Sequence, residues 1–192
     1  MAKVILASAS PRRAELLRII CEDFAIEPAD MDESPFEGES AKDLVLRLAK
    51  QKAELVLTSH INSEQADDRV LVLGSDTLIE CGGEVLGKPT DQGDFLDMMA
   101  RLSGREHQVH TAVACLSKEH TSIELVSSTI EFADITPEQA HAYWLTEEPS
   151  DKAGGYAIQG LGAQFVKRIN GSYSAVVGLP LYETKKMLET YK

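Results

Sequence analysis

The sequence predicts an α/β protein on a mixed, twisted sheet with flanking helices, and three observations carry that prediction. Short apolar runs alternate with segments of helical periodicity, first at 4–7 and 11–20. Other strand pairs are joined by turns too short for a helical crossover, as at Cys81-Gly82-Gly83-Glu84. Both kinds of unit share one chain of 192 residues, which argues against a doubly wound parallel sheet.

Val4-Ile5-Leu6-Ala7 reads as a buried strand. Ser10 is a good N-cap, and Pro11 suits the first helical turn, where its missing N–H costs nothing. That helix spans 11–20, and 24–28 reads as a second strand. Residues 29–39 form an acidic loop with Asp32, Glu33, Glu37 and Glu39. Ser40 then caps a helix to about Thr58, with Asp43 three residues on as a capping-box variant. A polar loop at 59–69 precedes a strong strand from Val70 to Glu80, which turns back into Val85-Leu86. Thr90 is expected to cap the next helix, whose stripe is Phe95, Met98, Met99 and Leu102, and Gly104 ends it. Segments 107–117 and 122–134 alternate as two strands. Thr136-Pro137-Glu138-Gln139 is a helix start. Residues 153–164 are glycine-rich. Phe165–Ile169 and Tyr173–Val177 flank Asn170-Gly171, which predicts a hairpin. A last helix follows Gly178-Leu179-Pro180.

A net charge of −12 disfavours a nucleic-acid or anionic-membrane surface, since both select basic patches. Cys21, Cys81 and Cys115 are odd in number and far apart, which suggests thiols in a reducing compartment, not a disulfide framework. No signal peptide or membrane span is legible, so a cytoplasmic protein is expected. The Asn170-Gly171-Ser172 sequon then reads as a turn.

Several residues break the pattern around them. At the first strand–helix junction, Ser8, Ser10, Arg12 and Arg13 surround free backbone N–H groups and the positive end of a helix dipole. That suits an anion, most simply phosphate; an ordinary surface helix start is the alternative. Lys52 falls on the apolar stripe of Leu44, Val45, Leu48, Ala49 and Val56. It either snorkels to an edge or borders a cleft holding an anion. Asp76 interrupts a strand whose two faces both look buried, so it must be paired, hydrogen-bonded or metal-bound. Gly74, on the same face, leaves space beside it. Taken alone, Lys88 in Gly87-Lys88-Pro89 reads as a surface turn, and Glu33 as solvated. Gln159 lies among Gly154, Gly155, Gly160 and Gly162, where backbone can approach a ligand closely. His107 and His110 are three apart on a strand and so are poor joint metal ligands. The cations Arg12, Arg13, Lys52 and Lys88 match a polyphosphate. The carboxylates Asp76 and Glu33 match a hard divalent cation and an activated water.

These segments together resemble the Maf family of nucleotide pyrophosphatases along nearly the whole chain. They run from Leu6-Ala7-Ser8-Ala9-Ser10-Pro11-Arg12-Arg13 through Leu48-Ala49-Lys50-Gln51-Lys52-Ala53, Gly74-Ser75-Asp76-Thr77, Gly87-Lys88-Pro89 and Leu102-Ser103-Gly104. They continue through Asp151-Lys152-Ala153-Gly154-Gly155-Tyr156-Ala157-Ile158-Gln159-Gly160 to Ile169-Asn170-Gly171-Ser172-Tyr173 and Val177-Gly178-Leu179-Pro180.

The resemblance implies a single domain over residues 1–192 with two lobes around a deep cleft, akin to inosine triphosphate pyrophosphatase. It implies hydrolysis of a nucleoside triphosphate to monophosphate and pyrophosphate with Mg²⁺ or Mn²⁺. Asp76 would accept a proton and, with Glu33, help hold the metal. Ser8, Arg12, Arg13, Lys52 and Lys88 would hold the phosphates. Arg12, Thr77 and Gln159 match the positions associated with the dTTP/UTP branch, as against the 7-methyl-GTP branch. Ser75, often Ala in the family, and the long polar loop at 59–69 depart from its pattern. Family members are often homodimers and are linked to septum inhibition. A nucleotide-binding regulator with little turnover is therefore the rival reading, and metal-dependent pyrophosphate release separates the two.

Overall fold

The short strand β1 (Lys3–Leu6) lies between β2 (Phe24–Ile26) and β3 (Val70–Cys81) and runs parallel to both. The computed structural model describes residues 3–62 and 69–191. β4 (Glu84–Leu86) returns antiparallel along the end of β3. β5 (Glu106–Leu116), β6 (Thr121–Phe132) and β7 (Val166–Asn170) complete a seven-stranded sheet in the order β2-β1-β3-β5-β6-β7, with β4 paired to β3 off that path. β7 is antiparallel to β6. Parallel and antiparallel pairings coexist, so the sheet is mixed.

Six helices accompany it among the described residues: α1 (Pro11–Arg18), α2 (Ala41–Ile61), α3 (Gln92–Leu102), α4 (Pro137–Trp144), α5 (Tyr173–Val177) and α6 (Leu181–Thr190). Ser10, Ser40 and Thr136 cap their helices as expected, and Thr136 with Gln139 forms a full capping box. At α2 the variant differs in detail. Asp43 accepts from the Ser40 hydroxyl at 2.6 Å, while its own N–H donates to the same oxygen.

The chain divides into two compact units. The first holds residues up to Asp76, Thr111–Val126 and the stretch from Gly178 on. The second holds Thr77–His110 and Ser127–Val177. The first unit buries Ile5, Leu6 and Leu73 together with the α2 stripe of Val45, Leu48 and Ala49. The second has an aromatic core of Phe95, Phe132, Tyr143, Tyr156 and Phe165. Phe132 meets Tyr156 at 4.8 Å and Tyr143 meets Phe165 at 5.4 Å between ring centroids, both edge-on.

Three expectations are corrected. Asn170-Gly171 does not open a hairpin: residues 173–177 are helix α5. Ser172 decides this, because its hydroxyl accepts from the Ala175 N–H and its carbonyl from Val176, as a helix cap does. Asp91, not Thr90, caps α3. Thr90 instead donates its N–H to Asp94, at 2.8 Å. Helix α2 continues to Ile61, and residues 63–68 of the expected polar loop lie outside the described residues.

Candidate active site

β1 and β3 share their register up to Leu6 and Leu73, and the Ala7 N–H still bonds the Leu73 carbonyl. The chain that leaves β1 therefore passes Gly74-Ser75-Asp76. The carboxyl end of parallel strands is where open α/β sheets bind ligands. Ser8 is buried there, and its hydroxyl accepts from the Ser10 N–H at 3.2 Å and from Arg13 Nη1 at 3.3 Å. Ser10 caps α1 through the Arg13 N–H. Arg12 and Arg13 thus occupy the first turn of α1 beside the junction, as the sequence suggested.

Gly178 supplies the fastening. Its carbonyl accepts from Arg13 Nε and from Ser75 Oγ, both at 3.0 Å. Ser75 also reaches the Ala112 carbonyl, at 2.8 Å. Burial pulls the Arg13 guanidinium below its usual range, while the nearby Asp76 and Glu33 carboxylates push it back up. A guanidinium remains charged throughout.

Lys52 and Asp76 are both buried, at 7% and 6% exposure, and their Nζ and Oδ1 atoms lie 2.6 Å apart. The same ammonium meets Glu33 Oε1 at 2.6 Å. The polar interruptions of α2 and β3 therefore compensate each other. Gly74 permits the approach: a Cβ there would strike the Ala49 carbonyl of α2 and lie 2.8 Å from the Ala53 nitrogen. Glu33, which alone reads as solvated, is a partner because its loop is tied down. Arg47 of α2 grips Glu39 with two nitrogens, at 2.6 and 2.8 Å, and donates to the Ser34 carbonyl at 2.9 Å. Its guanidinium also lies 3.9 Å from the centre of the Phe36 ring. The Arg47 hydrogen bonds hold the Glu39 carboxyl down at about 2.

The second unit contains the other expected residues. Thr77 is half-buried and follows Asp76 on β3. Lys88 is exposed in the irregular stretch after β4, where the Gly87 carbonyl accepts from the Gly154 N–H at 2.8 Å. Gln159 is exposed midway along the same glycine-rich segment. His107 and His110 take separate partners, Tyr156 at 2.7 Å, and Ser127 and Glu80 at 2.8 and 3.1 Å.

Among the described residues no group of three or more His, Cys, Asp or Glu side chains converges as a metal cage. The pair that does converge, Asp76 and Glu33 on one cationic centre, consists of hard oxygen donors. That set fits Mg²⁺ or Mn²⁺, which needs only one or two carboxylates when substrate phosphates and water complete the shell.

Four participants escaped sequence reasoning. A backbone carbonyl such as that of Gly178 is invisible to side-chain patterns. Arg47 and Glu39 look like solvated helix and loop charges. Ser75 stands out in the sequence only as a departure from the family's usual Ala, with no role attached.

No helix among the described residues is long and apolar enough to cross a membrane. The Staphylococcus aureus Ham1 protein has a similar structure, with a TM-score of 0.55 at 14% identity over 99% of this chain and 100% of that one, a likeness of fold. A dTTP/UTP pyrophosphatase of Colwellia psychrerythraea is 50% identical over 97% of this chain and 87% of its own. One of Vibrio vulnificus is 47% identical over 100% of both chains, and one of Hahella chejuensis 43% identical over 98% and 92%. The family described as Maf-like protein matches residues 3–191. With the junction, the buried lysine–carboxylate pair and the family match in agreement along the chain, this protein belongs to the Maf-like protein family.

Proposed function

We propose that this protein is a nucleoside triphosphate pyrophosphatase that hydrolyses dTTP and UTP to the monophosphate and pyrophosphate. The observation that carries this reading is the convergence of Lys52, Asp76 and Glu33 near the Ser8–Arg13 junction. A binding module has no need of a buried acid beside a phosphate site. The names of the relatives at 43–50% identity support the choice of nucleotide. Residues 1–192 act as one catalytic domain with two lobes, in the cytoplasm, as a homodimer, on a small-molecule substrate and without nucleic acid or membrane.

Ser8, Arg12, Arg13, Lys52 and Lys88 hold the phosphates. Asp76 and Glu33 would hold the divalent cation, Mg²⁺ or Mn²⁺. When bound, that cation polarises phosphoryl oxygens and lowers the pKa of water. Asp76 accepts the proton of the water whose oxygen attacks the α-phosphorus. The bond from that phosphorus to the bridging oxygen breaks, and pyrophosphate leaves with the bond's electrons. Arginine and lysine offset the charge that develops on it. Arg12, Thr77 and Gln159 select the base, and the Gln159 amide offers one donor and one acceptor edge to a pyrimidine.

Incubation with dTTP, UTP, CTP, GTP and 7-methyl-GTP plus Mg²⁺ or Mn²⁺ tests this. Monophosphate and pyrophosphate from dTTP and UTP are expected. Selective cleavage of 7-methyl-GTP would keep the chemistry and overturn the base assignment. No cleavage with either metal would favour a nucleotide-binding regulator. Asp76→Asn should fold and lose about 10²–10⁴-fold in kcat, the usual contribution of a positioned base; normal turnover would remove Asp76 from that role.

A further inference from the structure

The segment that presents Gln159 is gripped from behind by a tyrosine–glutamate pair. Glu148 accepts three hydrogen bonds: from the Tyr143 hydroxyl at 2.6 Å, and from the Leu161 and Gly162 N–H groups, each at 2.9 Å. Tyr143 in turn accepts from the Ala157 N–H at 3.1 Å. Backbone on both sides of Gln159 is thereby fixed to one pair of side chains, while Gln159 itself stays exposed.

The space beside two glycines is filled by this pair. A Cβ on Gly160 would strike the Glu148 carboxylate, and one on Gly162 would lie 2.6 Å from the Tyr143 hydroxyl. The pair is anchored in the core: Tyr143 is 2% exposed, on α4, with its ring against Phe95 and Phe165. Glu147, immediately before Glu148, has φ 62, the one left-handed non-glycine residue among those described. Strain of this kind persists where the surroundings over-determine it, and it gathers at functional sites. Burial raises the Glu148 carboxyl, yet the bonds from Tyr143, Leu161 and Gly162 outweigh it and leave the group below its usual value. It is therefore an acceptor for all three donors.

We propose that Tyr143 and Glu148 are positioning residues that set nucleobase selection by fixing the backbone on both sides of Gln159. The inference rests on the reading above that Gln159 meets the base. Neither residue touches the nucleotide. Their effect should appear in how well the enzyme tells bases apart, not in how it holds phosphate.

The test compares Tyr143→Phe, Glu148→Gln and Gln159→Ala with the parent enzyme. It measures kcat and KM for UTP and CTP, and Ki for inorganic triphosphate as a probe without a base. In Glu148→Gln an amide N–H replaces one accepting oxygen and faces a backbone donor. All three variants should lower the UTP-over-CTP ratio of kcat/KM about ten-fold, chiefly through the UTP KM, with triphosphate Ki within about two-fold of the parent. If only Gln159→Ala shifts the ratio, the clamp has no part in selection and the proposal fails while the reading of Gln159 stands. If Gln159→Ala also leaves the ratio unchanged, that reading fails and takes the proposal with it. A triphosphate Ki that rises in step with the UTP KM marks general damage and overturns it as well. Tyr143→Phe removes a single oxygen and decides the matter should Glu148→Gln not fold.

Discussion

Lys52 balances two carboxylates with one ammonium, and the consequences of removing it follow from burial. Asp76 has little access to water, so Lys52→Met leaves an uncompensated charge in the first unit. Breaking a buried pair in this way costs about 3–5 kcal/mol, which a urea midpoint would register; an unchanged midpoint would show that the pair carries no stability. His107 is a second residue whose burial has a readable outcome. It is 2% exposed, Nδ1 has no hydrogen-bond partner among the described residues, and burial pushes the imidazole down to about 4. The unfolded chain takes up that proton near 6.5, so the group's contribution is whole above that pH and is lost as pH falls toward about 4. The loss amounts to about 3 kcal/mol. His107→Gln should flatten this acid limb of stability between pH 4 and 6.5; an equally steep limb would assign it to other groups.

Helix α2 is the element that organises the first unit's chemistry, because it carries Arg47 and Lys52 and packs on Gly74 of β3. Gly74→Ala would drive a methyl into the Ala49 carbonyl. The helix must shift, at a cost of roughly 1–3 kcal/mol, and Lys52 shifts with it. Activity and thermal stability should therefore fall together; a neutral Gly74→Ala would show slack at this contact. Arg47→Ala should release the loop at 32–39. The Phe36 N–H, which donates to Glu39 at 3.0 Å, should then exchange with solvent about ten-fold faster. Unchanged exchange would mean the loop holds itself. How much of this was legible depended on contrast with neighbours. Lys52 and Asp76 stood out because each interrupts an apolar face, and Ser10, Ser40 and Thr136 because caps are local. Glu33 reads as solvated on its own and gains meaning only beside Asp76, as a second hard carboxylate, and from the family resemblance, since its partner lies beyond a loop that Arg47 shapes. Tyr143 and Glu148 left no trace: one fits an apolar pattern, the other a polar stretch, and their bonds to 157–162 join positions 13 or 14 apart, which no helix or strand period links. The hairpin expected at Asn170-Gly171 failed because Ser172 starts a helix, a competition the Asn-Gly signal does not register.

At the scale of the whole molecule the charge of −12 works against an anionic substrate, and the cations near α1 act only at short range. Raising ionic strength from about 10 to 150 mM shortens the screening length from roughly 30 to 8 Å and hides the distant acids first. The kcat/KM for dTTP at saturating Mg²⁺ should then hold steady or rise; a steep fall would show that long-range attraction guides the nucleotide in. The Arg13–Gly178 hydrogen bond has a consequence of another kind, one of timing. It joins residues 165 positions apart. A ribosome adding about 5–20 residues each second needs on the order of 10–30 seconds to get from one to the other. Through that interval the growing chain already displays its arginines but lacks the carbonyl that aims one of them. If Arg13 holds phosphate as proposed, the emerging chain should be unable to consume the nucleotides around it until Gly178 has been made.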